Sequence, residues 1–204
     1  MTEKVPFPER LDATFLTSAP DLKACPKDDI VEVAFAGRSN AGKSSVLNQI
    51  TGNKRTAKVS KTPGRTRLLN FFSLQRAGRL VDLPGYGYAK SGKAAQADWQ
   101  KSVNHYLSVR DNLVGLVLVT DIRHTGQPYD EELISWSAES EMPILVLLNK
   151  CDKFSRSAQN KALLAFKKAH ADHPNLSVQC FSAAKGVGRN ELIAALCNWL
   201  DEPQ

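Results

Sequence analysis

The sequence predicts an α/β domain with a mostly parallel six-stranded sheet and helices on both faces. Apolar runs of strand length alternate with longer segments whose apolar residues recur at helical spacing. Some runs are apolar throughout, which is typical of parallel strands covered on both faces. A glycine-rich loop at 37–44 joins one such run to a helical segment. These three observations together predict a doubly wound fold.

The predicted elements follow one another along the chain. Strands are predicted at 31–36, 68–74, 79–82, 113–120, 144–148 and 176–181, and helices at 45–50, 95–109, 129–137, 158–170 and 189–200. Residues 1–29 are rich in proline and predict an irregular N-terminal extension, with Phe15 and Leu16 as its anchors. The remaining residues, 30–204, are predicted to form one folded domain.

A phosphate-binding loop of the pattern G-x-x-x-x-G-K-[ST] is predicted between the first strand and the first helix. It consists of Gly37, Arg38, Ser39, Asn40, Ala41, Gly42, Lys43 and Ser44, with Ser45 next in the helix. Glycines let backbone N–H groups surround phosphate oxygens, and the helix N-terminus adds a positive dipole. We expect Lys43 to reach the β- and γ-phosphates and the Ser44 hydroxyl to bind Mg²⁺. The alternative is a glycine-rich turn beside an ordinary helix.

A base-reading motif, N-K-x-D, follows the apolar run at 143–148 and supplies Asn149, Lys150 and Asp152. A carboxylate accepts hydrogen bonds from guanine N1–H and the N2 amino group, whereas adenine offers neither pair of donors. We therefore expect Asp152 to select guanine, Asn149 to bridge the loop and the base, and Lys150 to lie along the purine face. The alternative is a plain turn, because Asn and Asp favour turns for local reasons.

Two segments between these motifs predict contacts with the γ-phosphate and Mg²⁺. The D-x-x-G run contains Asp82, Leu83, Pro84 and Gly85. Its carboxylate can hold Mg²⁺ through water, and the Gly85 N–H can meet the γ-phosphate. Upstream, the run Gly64, Arg65 and Thr66 lies in a polar segment, where Thr66 is the candidate for a further Mg²⁺ ligand. An ordinary Pro-Gly turn is the alternative there.

A weaker motif follows the last predicted strand. Phe181, Ser182 and Ala183 resemble the start of an S-A-K loop, whose backbone N–H groups touch guanine O6. Taken with the preceding motifs, the expected catalytic residues are Lys43, Thr66 and Gly85, and the expected metal ligands are Ser44, Thr66 and Asp82. GTP and GDP are the expected ligands, with Mg²⁺ as the cofactor.

Composition indicates a cytoplasmic protein. The 204 residues are 42% hydrophobic, which is enough for the core of one domain. The four cysteines lack metal-ligand spacing and are expected to be reduced thiols. No apolar run approaches the length needed to cross a bilayer, and the N-terminus lacks a signal-peptide pattern. We expect neither a membrane nor DNA as a partner.

Charge is concentrated in one segment. The formal net charge is +6, and the segment 52–67 contains Lys54, Arg55, Lys58, Lys61, Arg65 and Arg67 without an acidic residue. Such a segment could contact RNA phosphates in a salt-sensitive, sequence-independent way. The alternative is a solvated loop whose charges offset the bound triphosphate.

The motifs G-R-S-N-A-G-K-S-S, K-T-P-G-R-T, D-L-P-G-Y-G-Y-A and N-K-C-D resemble the EngB (YsxC, YihA) family of bacterial GTPases, in the TrmE–Era–EngA–EngB group. The resemblance covers nearly the whole chain. It implies a Ras-like P-loop GTPase domain at 30–204 and Mg²⁺-dependent hydrolysis of GTP to GDP and phosphate. It also implies association with the large ribosomal subunit, through ribosomal RNA and proteins, during assembly. A requirement for normal cell division and septation is implied as well, and we expect a monomer.

One departure from the commonest GTPase pattern follows D-x-x-G. Many GTPases place there a Gln that orients the attacking water, but this chain has Tyr86. The resemblance implies slow intrinsic turnover, completed by a partner or a monovalent cation. Asn40 stands where related GTPases bind K⁺, or it only braces the loop. His124 is a loop histidine to which we assign no catalytic role.

Two function classes remain open. The first is an assembly GTPase that docks on ribosomal RNA or protein and leaves on hydrolysis. The second is a GTP-regulated interaction protein that acts directly on the division machinery without binding ribosomes. The basic segment 52–67 favours the first.

Overall fold

The computed structural model of the chain describes residues 7–52, 68–87 and 93–201, with the side chains of 93–99 left aside. Within this part there are seven strands and five α-helices. The strands are β1 (Ala13–Ala19), β2 (Glu32–Gly37), β3 (Leu69–Leu74), β4 (Arg79–Asp82), β5 (Leu113–Asp121), β6 (Ile144–Asn149) and β7 (Leu176–Cys180). The helices are α1 (Lys43–Thr51), α2 (Lys93–Val109), α3 (Pro128–Glu139), α4 (Arg156–Ala169) and α5 (Arg189–Asp201).

The strands form one mixed sheet in the order β1-β3-β4-β2-β5-β6-β7. The five strands from β4 to β7 in that order run parallel, and β1 and β3 are antiparallel to their neighbours. Parallel strands bring their carboxyl ends to one edge of the sheet, where ligands bind in open α/β folds. The loops after β2, β4, β5, β6 and β7 therefore meet at that edge.

Each face of the sheet is covered by its own apolar layer. α1 and α5 pack on one face, where Ile50 and Leu196 are fully buried. The other face is covered by α2, α3 and α4, with Tyr106, Leu133 and Phe166 among the buried residues. The predicted helices on both faces are thus confirmed. None of the helices in the described ranges has both the length and the apolar character needed to cross a bilayer.

The N-terminal region differs from the prediction. Ala13–Ala19 is not irregular but forms β1, a strand in addition to the six predicted. It pairs with β3 from Ala13↔Leu74 to Ala19↔Leu69. Phe15 and Leu16 are not its anchors, because they remain 55% and 46% exposed on the outermost strand. The buried contacts are made by other residues, namely Leu11, Ala19 and Cys25. In addition, the Leu11 N–H donates to the Ile50 carbonyl at 2.8 Å, which joins this region to α1.

A buried charge cluster lies at the opposite end of the sheet from the strand carboxyl ends. The fully buried Glu32 accepts hydrogen bonds from Arg79 at 2.9 Å, from Arg110 at 2.7 Å and from the Tyr106 hydroxyl at 2.7 Å. Arg79 also pairs with Asp28 at 2.9 Å. These bonds satisfy charges that would otherwise be costly to bury, and they hold the end of the N-terminal region against β4 and α2.

Candidate nucleotide-binding site

The loop between β2 and α1 has the backbone shape that phosphate binding requires. Asn40 and Gly42 have positive φ angles of 70° and 102°. A Cβ atom at Gly42 would lie 2.3 Å from Asn149 Nδ2, so only glycine fits this approach. α1 begins directly after Gly42, and no side chain caps its first turn. The first N–H groups of α1 are therefore available to an anion.

Lys43 and Asp82 form a buried ion pair at the centre of the site. They are 9% and 8% exposed, and Lys43 Nζ contacts Asp82 Oδ1. The parallel register Phe35↔Asp82 places the end of β4 beside β2, which explains the contact. Ser44 lies one residue further along α1 and is half-buried. A cation and a carboxylate thus meet at the start of α1, and the next residue carries a hydroxyl of the kind that binds Mg²⁺.

The D-x-x-G segment runs beside the phosphate-binding loop. The Leu83 N–H donates to the Phe35 carbonyl at 3.0 Å, and the Ser39 N–H donates to the Tyr86 carbonyl at 2.7 Å. Gly85 lies between these two contacts, close to the side chain of Ser39. The Ser39 hydroxyl is buried and has no hydrogen-bond partner within the described residues. The predicted run Gly64, Arg65 and Thr66 lies outside the described residues.

The N-K-x-D motif braces the phosphate-binding loop. Asn149 Nδ2 donates to the Ala41 carbonyl at 2.8 Å, and Asn149 Oδ1 accepts from the Ala183 N–H at 3.3 Å. Lys150 Nζ donates to the Asn40 carbonyl at 2.7 Å. One short motif therefore joins the loop after β2 to the loop after β7.

Asp152 is held by the loop after β7. Its Oδ1 atom accepts a hydrogen bond from the Ser182 hydroxyl at 2.6 Å, and its Oδ2 atom lies 3.5 Å from Lys153 Nζ. The Ser182 bond, together with the nearby Lys153, keeps the pKa of Asp152 below its ordinary value. The carboxylate is therefore ionised and oriented, with one oxygen left for a ligand.

Asp121 is a site residue that the sequence motifs did not assign. It ends β5, and its Oδ2 atom lies 2.9 Å from Lys150 Nζ and 2.6 Å from Arg123 Nη2. The Arg123 hydrogen bonds and then the Lys150 bond lower the pKa of Asp121 well below its ordinary range. Asp121 thereby fixes the ammonium of Lys150 beside the phosphate-binding loop. The signal in the sequence was a carboxylate at the end of an apolar strand.

A cavity of about 260 Å³ adjoins the phosphate-binding loop. Its lining includes Arg38, Gly87, Asp121, Arg123 and Lys150. Three of these side chains are cationic and one is anionic, so the cavity is biased towards anions.

The structure brings the predicted segments together at one edge of the sheet. These are 37–45, 82–85, 149–152 and 181–183, which lie at the ends of β2, β4, β6 and β7. Their convergence is the arrangement of a P-loop nucleotide site.

Comparison with known proteins identifies the family. A family model described as a 50S ribosome-binding GTPase matches residues 32–150. The protein named "Probable GTP-binding protein EngB" of Colwellia psychrerythraea is 47% identical over 191 residues, which is 93% of this chain and 85% of that protein. This chain belongs to the EngB family of GTP-binding proteins. It is accordingly a GTPase, as the motifs predicted.

Solved structures agree on the fold. The crystal structure of a probable GTP-binding protein EngB matches with a TM-score of 0.70 at 24% identity, and covers 85% of this chain and 100% of that one. Era in complex with MgGDPNP and nucleotides 1506–1542 of 16S ribosomal RNA matches with a TM-score of 0.65 at 24% identity. That match covers 85% of this chain and 58% of Era. The Ras-like fold predicted for the EngB domain is confirmed, with seven strands in place of six.

Proposed function

We propose that this chain is a cytoplasmic GTP-operated switch in the assembly of the large ribosomal subunit, and that normal cell division and septation depend on it. The description of the matching family model as a 50S ribosome-binding GTPase supports this proposal. The Era structure supports a ribosomal partner as well, because Era, which shares this fold over 58% of its length, is in complex there with a segment of 16S ribosomal RNA. The feature of this chain that carries the proposal is the exposed face of α4.

α4 presents four cations and no carboxylate. The helix Arg156–Ala169 contains neither Asp nor Glu. Its exposed cations are Arg156, Lys161, Lys167 and Lys168. Leu164, 65% exposed, lies among them. None of the four takes part in the ion pairs found within the described ranges. A regular helix with unneutralised cations on one face suits the phosphate backbone of RNA.

In this proposal the strand carboxyl ends bind GTP. Lys43 binds the β- and γ-phosphates together with the N–H groups at the start of α1. Asp152 accepts hydrogen bonds from guanine through the oxygen that Ser182 leaves available, and a backbone N–H of the loop after β7 donates to guanine O6. These roles rest on the contacts described above, above all the oriented carboxylate of Asp152.

Mg²⁺ would be held by oxygen ligands, which that ion prefers. The Ser44 hydroxyl would bind it directly and Asp82 through water, with Thr66 as the third ligand. The donor set fits, because Ser44 directly follows Lys43 in α1 and the Asp82 carboxylate contacts Lys43 Nζ. When bound, the ion neutralises charge on the phosphates. In the structure, the charges of Lys43 and Asp82 neutralise each other in this part of the site.

Asn40 remains a candidate K⁺ ligand. Its carbonyl accepts from Lys150, whereas its exposed side chain makes no hydrogen bond to a described residue. That observation favours the side chain as a ligand over its role as a brace of the loop.

Sedimentation with large-subunit precursors tests the proposal. The purified protein would be mixed with these particles in the presence of a non-hydrolysable GTP analogue or of GDP, over a range of salt concentrations. We expect co-sedimentation that is stronger with the analogue and falls with salt. Absence of binding at every salt concentration would instead favour a protein that acts directly on the division machinery.

A charge-matched pair of variants tests the α4 face. In the first variant Lys161, Lys167 and Lys168 become Gln, and in the control the exposed Lys23, Lys27 and Lys101 become Gln. We expect the α4 variant to weaken particle binding in both nucleotide states, with a salt slope shallower by about one per lost phosphate contact. The control should bind like the wild type, and equal losses in the two variants would contradict a specific role of α4.

The basic segment 52–67 makes a separate prediction, although most of it lies outside the described residues. Replacement of Lys54, Arg55, Lys58 and Lys61 by Gln should remove only the part of particle binding that depends on the GTP analogue. Nucleotide affinity should be kept, because none of the four belongs to the nucleotide motifs. A loss that is equal with GDP would contradict nucleotide control of this segment.

A further inference from the structure

Tyr86 does not take the role of the water-orienting Gln, because its hydroxyl is hydrogen-bonded to Asp130. The residue follows Gly85 in the D-x-x-G segment, and its side chain is buried, with 5% exposed. The hydroxyl donates a hydrogen bond to the carboxylate of Asp130 in α3. The Tyr86 ring also packs edge to face on Tyr129, with centroids 4.7 Å apart at 71°. The side chain is therefore fixed on α3 rather than presented to a ligand.

Asp130 is a buried carboxyl whose contacts centre on Tyr86. It lies in the first turn of α3, 3% exposed, and also interacts with Thr120 near the end of β5. Burial raises the pKa of Asp130, and the hydrogen bonds from Tyr86 and Thr120 oppose that rise. A carboxyl in such a place is costly unless it is hydrogen-bonded. Its position is thus best explained by the two hydroxyl groups that it holds.

The backbone of Tyr86 is fixed to the phosphate-binding loop. The Tyr86 carbonyl accepts the Ser39 N–H at 2.7 Å, and Tyr86 pairs with Arg38 as an isolated parallel bridge. One residue is therefore attached to α3 by its side chain and to the phosphate-binding loop by its backbone. Gly85 directly precedes it, so the place of the Gly85 N–H depends on both attachments.

We propose that Asp130 is a positioning residue for GTP hydrolysis, which holds Tyr86 and through it the Gly85 N–H at the phosphate-binding loop. The inference rests on the γ-phosphate contact predicted above for the Gly85 N–H and on the role proposed for Lys43 in binding the triphosphate, and it does not depend on ribosome binding. Loss of the Tyr86–Asp130 bond would remove the attachment of Tyr86 to α3 and leave its backbone bond to Ser39 in place. The bond should therefore matter for the γ-phosphate and not for GDP.

The test uses Asp130→Asn, Tyr86→Phe and the double variant of the full chain. Affinities for GDP and for a non-hydrolysable GTP analogue would be measured, together with single-turnover hydrolysis of GTP. We expect GDP affinity within about twofold of the wild type. Hydrolysis, and the preference for the analogue over GDP, should fall about ten- to a hundredfold, the range expected for one hydrogen bond to a charged group. Asp130→Asn replaces the charged acceptor of this bond with a neutral amide, and Tyr86→Phe removes the donor. The double variant should therefore lose no more than the more impaired of the two single variants.

Glu131→Gln is the matched control, because it neutralises the next carboxylate of the same helical turn. Glu131 faces α4, where its carboxylate contacts His170 at 3.0 Å. This variant should hydrolyse GTP like the wild type. Thermal unfolding of each variant reports any general loss of structure, and Tyr86→Phe keeps the buried ring if Asp130→Asn fails to fold. Wild-type hydrolysis and an unchanged preference for the analogue in both single variants, or losses that add in the double variant, would overturn the proposal.

Discussion

Asp152→Asn separates the base-reading role of this residue from its structural role. Asp152 Oδ1 accepts the Ser182 hydroxyl at 2.6 Å, while Oδ2 is 3.5 Å from its neighbour Lys153. The amide oxygen of Asn can keep the Ser182 bond, which places the NH₂ group where Oδ2 was. That group then faces the N1–H and N2 donors of guanine with a donor of its own.

The magnitude follows from the number of bonds lost. Two hydrogen bonds to a charged acceptor disappear, and each contributes about 1.5–3 kcal/mol. The combined loss of about 3–6 kcal/mol corresponds to a fall of about 10²- to 10⁴-fold in affinity for GTP and GDP. Xanthine carries a carbonyl at C2 in place of the amino group, so the new NH₂ group gains an acceptor there. Xanthine nucleotides should therefore bind the variant better than guanine nucleotides do.

Titration calorimetry with GDP and with xanthosine diphosphate measures both effects. The control is Asp172→Asn, which removes an exposed carboxylate outside the motifs and should leave both affinities unchanged. Because the Asp152→Asn variant keeps the bond to Ser182, we expect it to be as stable as the wild type, which thermal unfolding would check. A fall of less than about tenfold for GDP, or no gain for the xanthine nucleotide, would refute the reasoning.

Three further predictions concern the phosphates, the monovalent cation and the buried charges. Lys43→Ala removes phosphate charge and Ser44→Ala an Mg²⁺ ligand, so both should abolish GTP hydrolysis in Mg²⁺, and a wild-type rate in either would contradict its role. Hydrolysis should be faster in potassium than in sodium at equal ionic strength, and Asn40→Ala should erase the difference, whereas equal wild-type rates would leave Asn40 as a brace. Glu32→Gln should lower the free energy of unfolding by about 3–5 kcal/mol without a change in GDP affinity, because it removes the buried carboxylate that pairs with Arg79 and Arg110. Asp201→Asn, which breaks a half-exposed pair with Arg76, should cost under about 1 kcal/mol in the same denaturant titration, and equal costs would refute the role of burial.

The nucleotide motifs could be predicted because their information is local. The phosphate-binding loop needs glycine where φ is positive, as at Gly42, and lysine directly after it. Apolar runs before Asp82 and Asn149 predicted parallel strands, and such strands bring their ends together whatever the details of packing. The edge of the sheet that holds the site could therefore be predicted from the order of the motifs along the chain.

β1 was missed because the local signals conflict. Its centre, Thr14 to Thr17, has strand-forming residues, but prolines flank it and its burial does not alternate. A bulge between Phe15 and Thr17 explains the broken alternation, since it shifts the register against β3. Only the partner strand reveals that this segment belongs to the sheet.

Contacts between residues far apart in the chain could not be predicted from the sequence. The Tyr86–Asp130 bond joins residues 44 positions apart, and the Lys43–Asp82 pair joins residues 39 positions apart. Both pairs are made by the topology, which sets β4 beside β2 and α3 beside β5. The residue types predicted chemistry for Lys43 and Asp82 separately, and only the fold shows that each is the other's partner.

Residues 11–19, which include β1, contact the chain on both sides of the segment 53–67. The Leu11 N–H holds the Ile50 carbonyl at the end of α1, and Ala19 pairs with Leu69 at the start of β3. The same short stretch of chain thus holds the residues before and after a segment that carries a proposed metal ligand and the second proposed RNA contact. Deletion of the N-terminal residues would release both sides of that segment at once. A region that contains no nucleotide motif would then govern how tightly GTP is held.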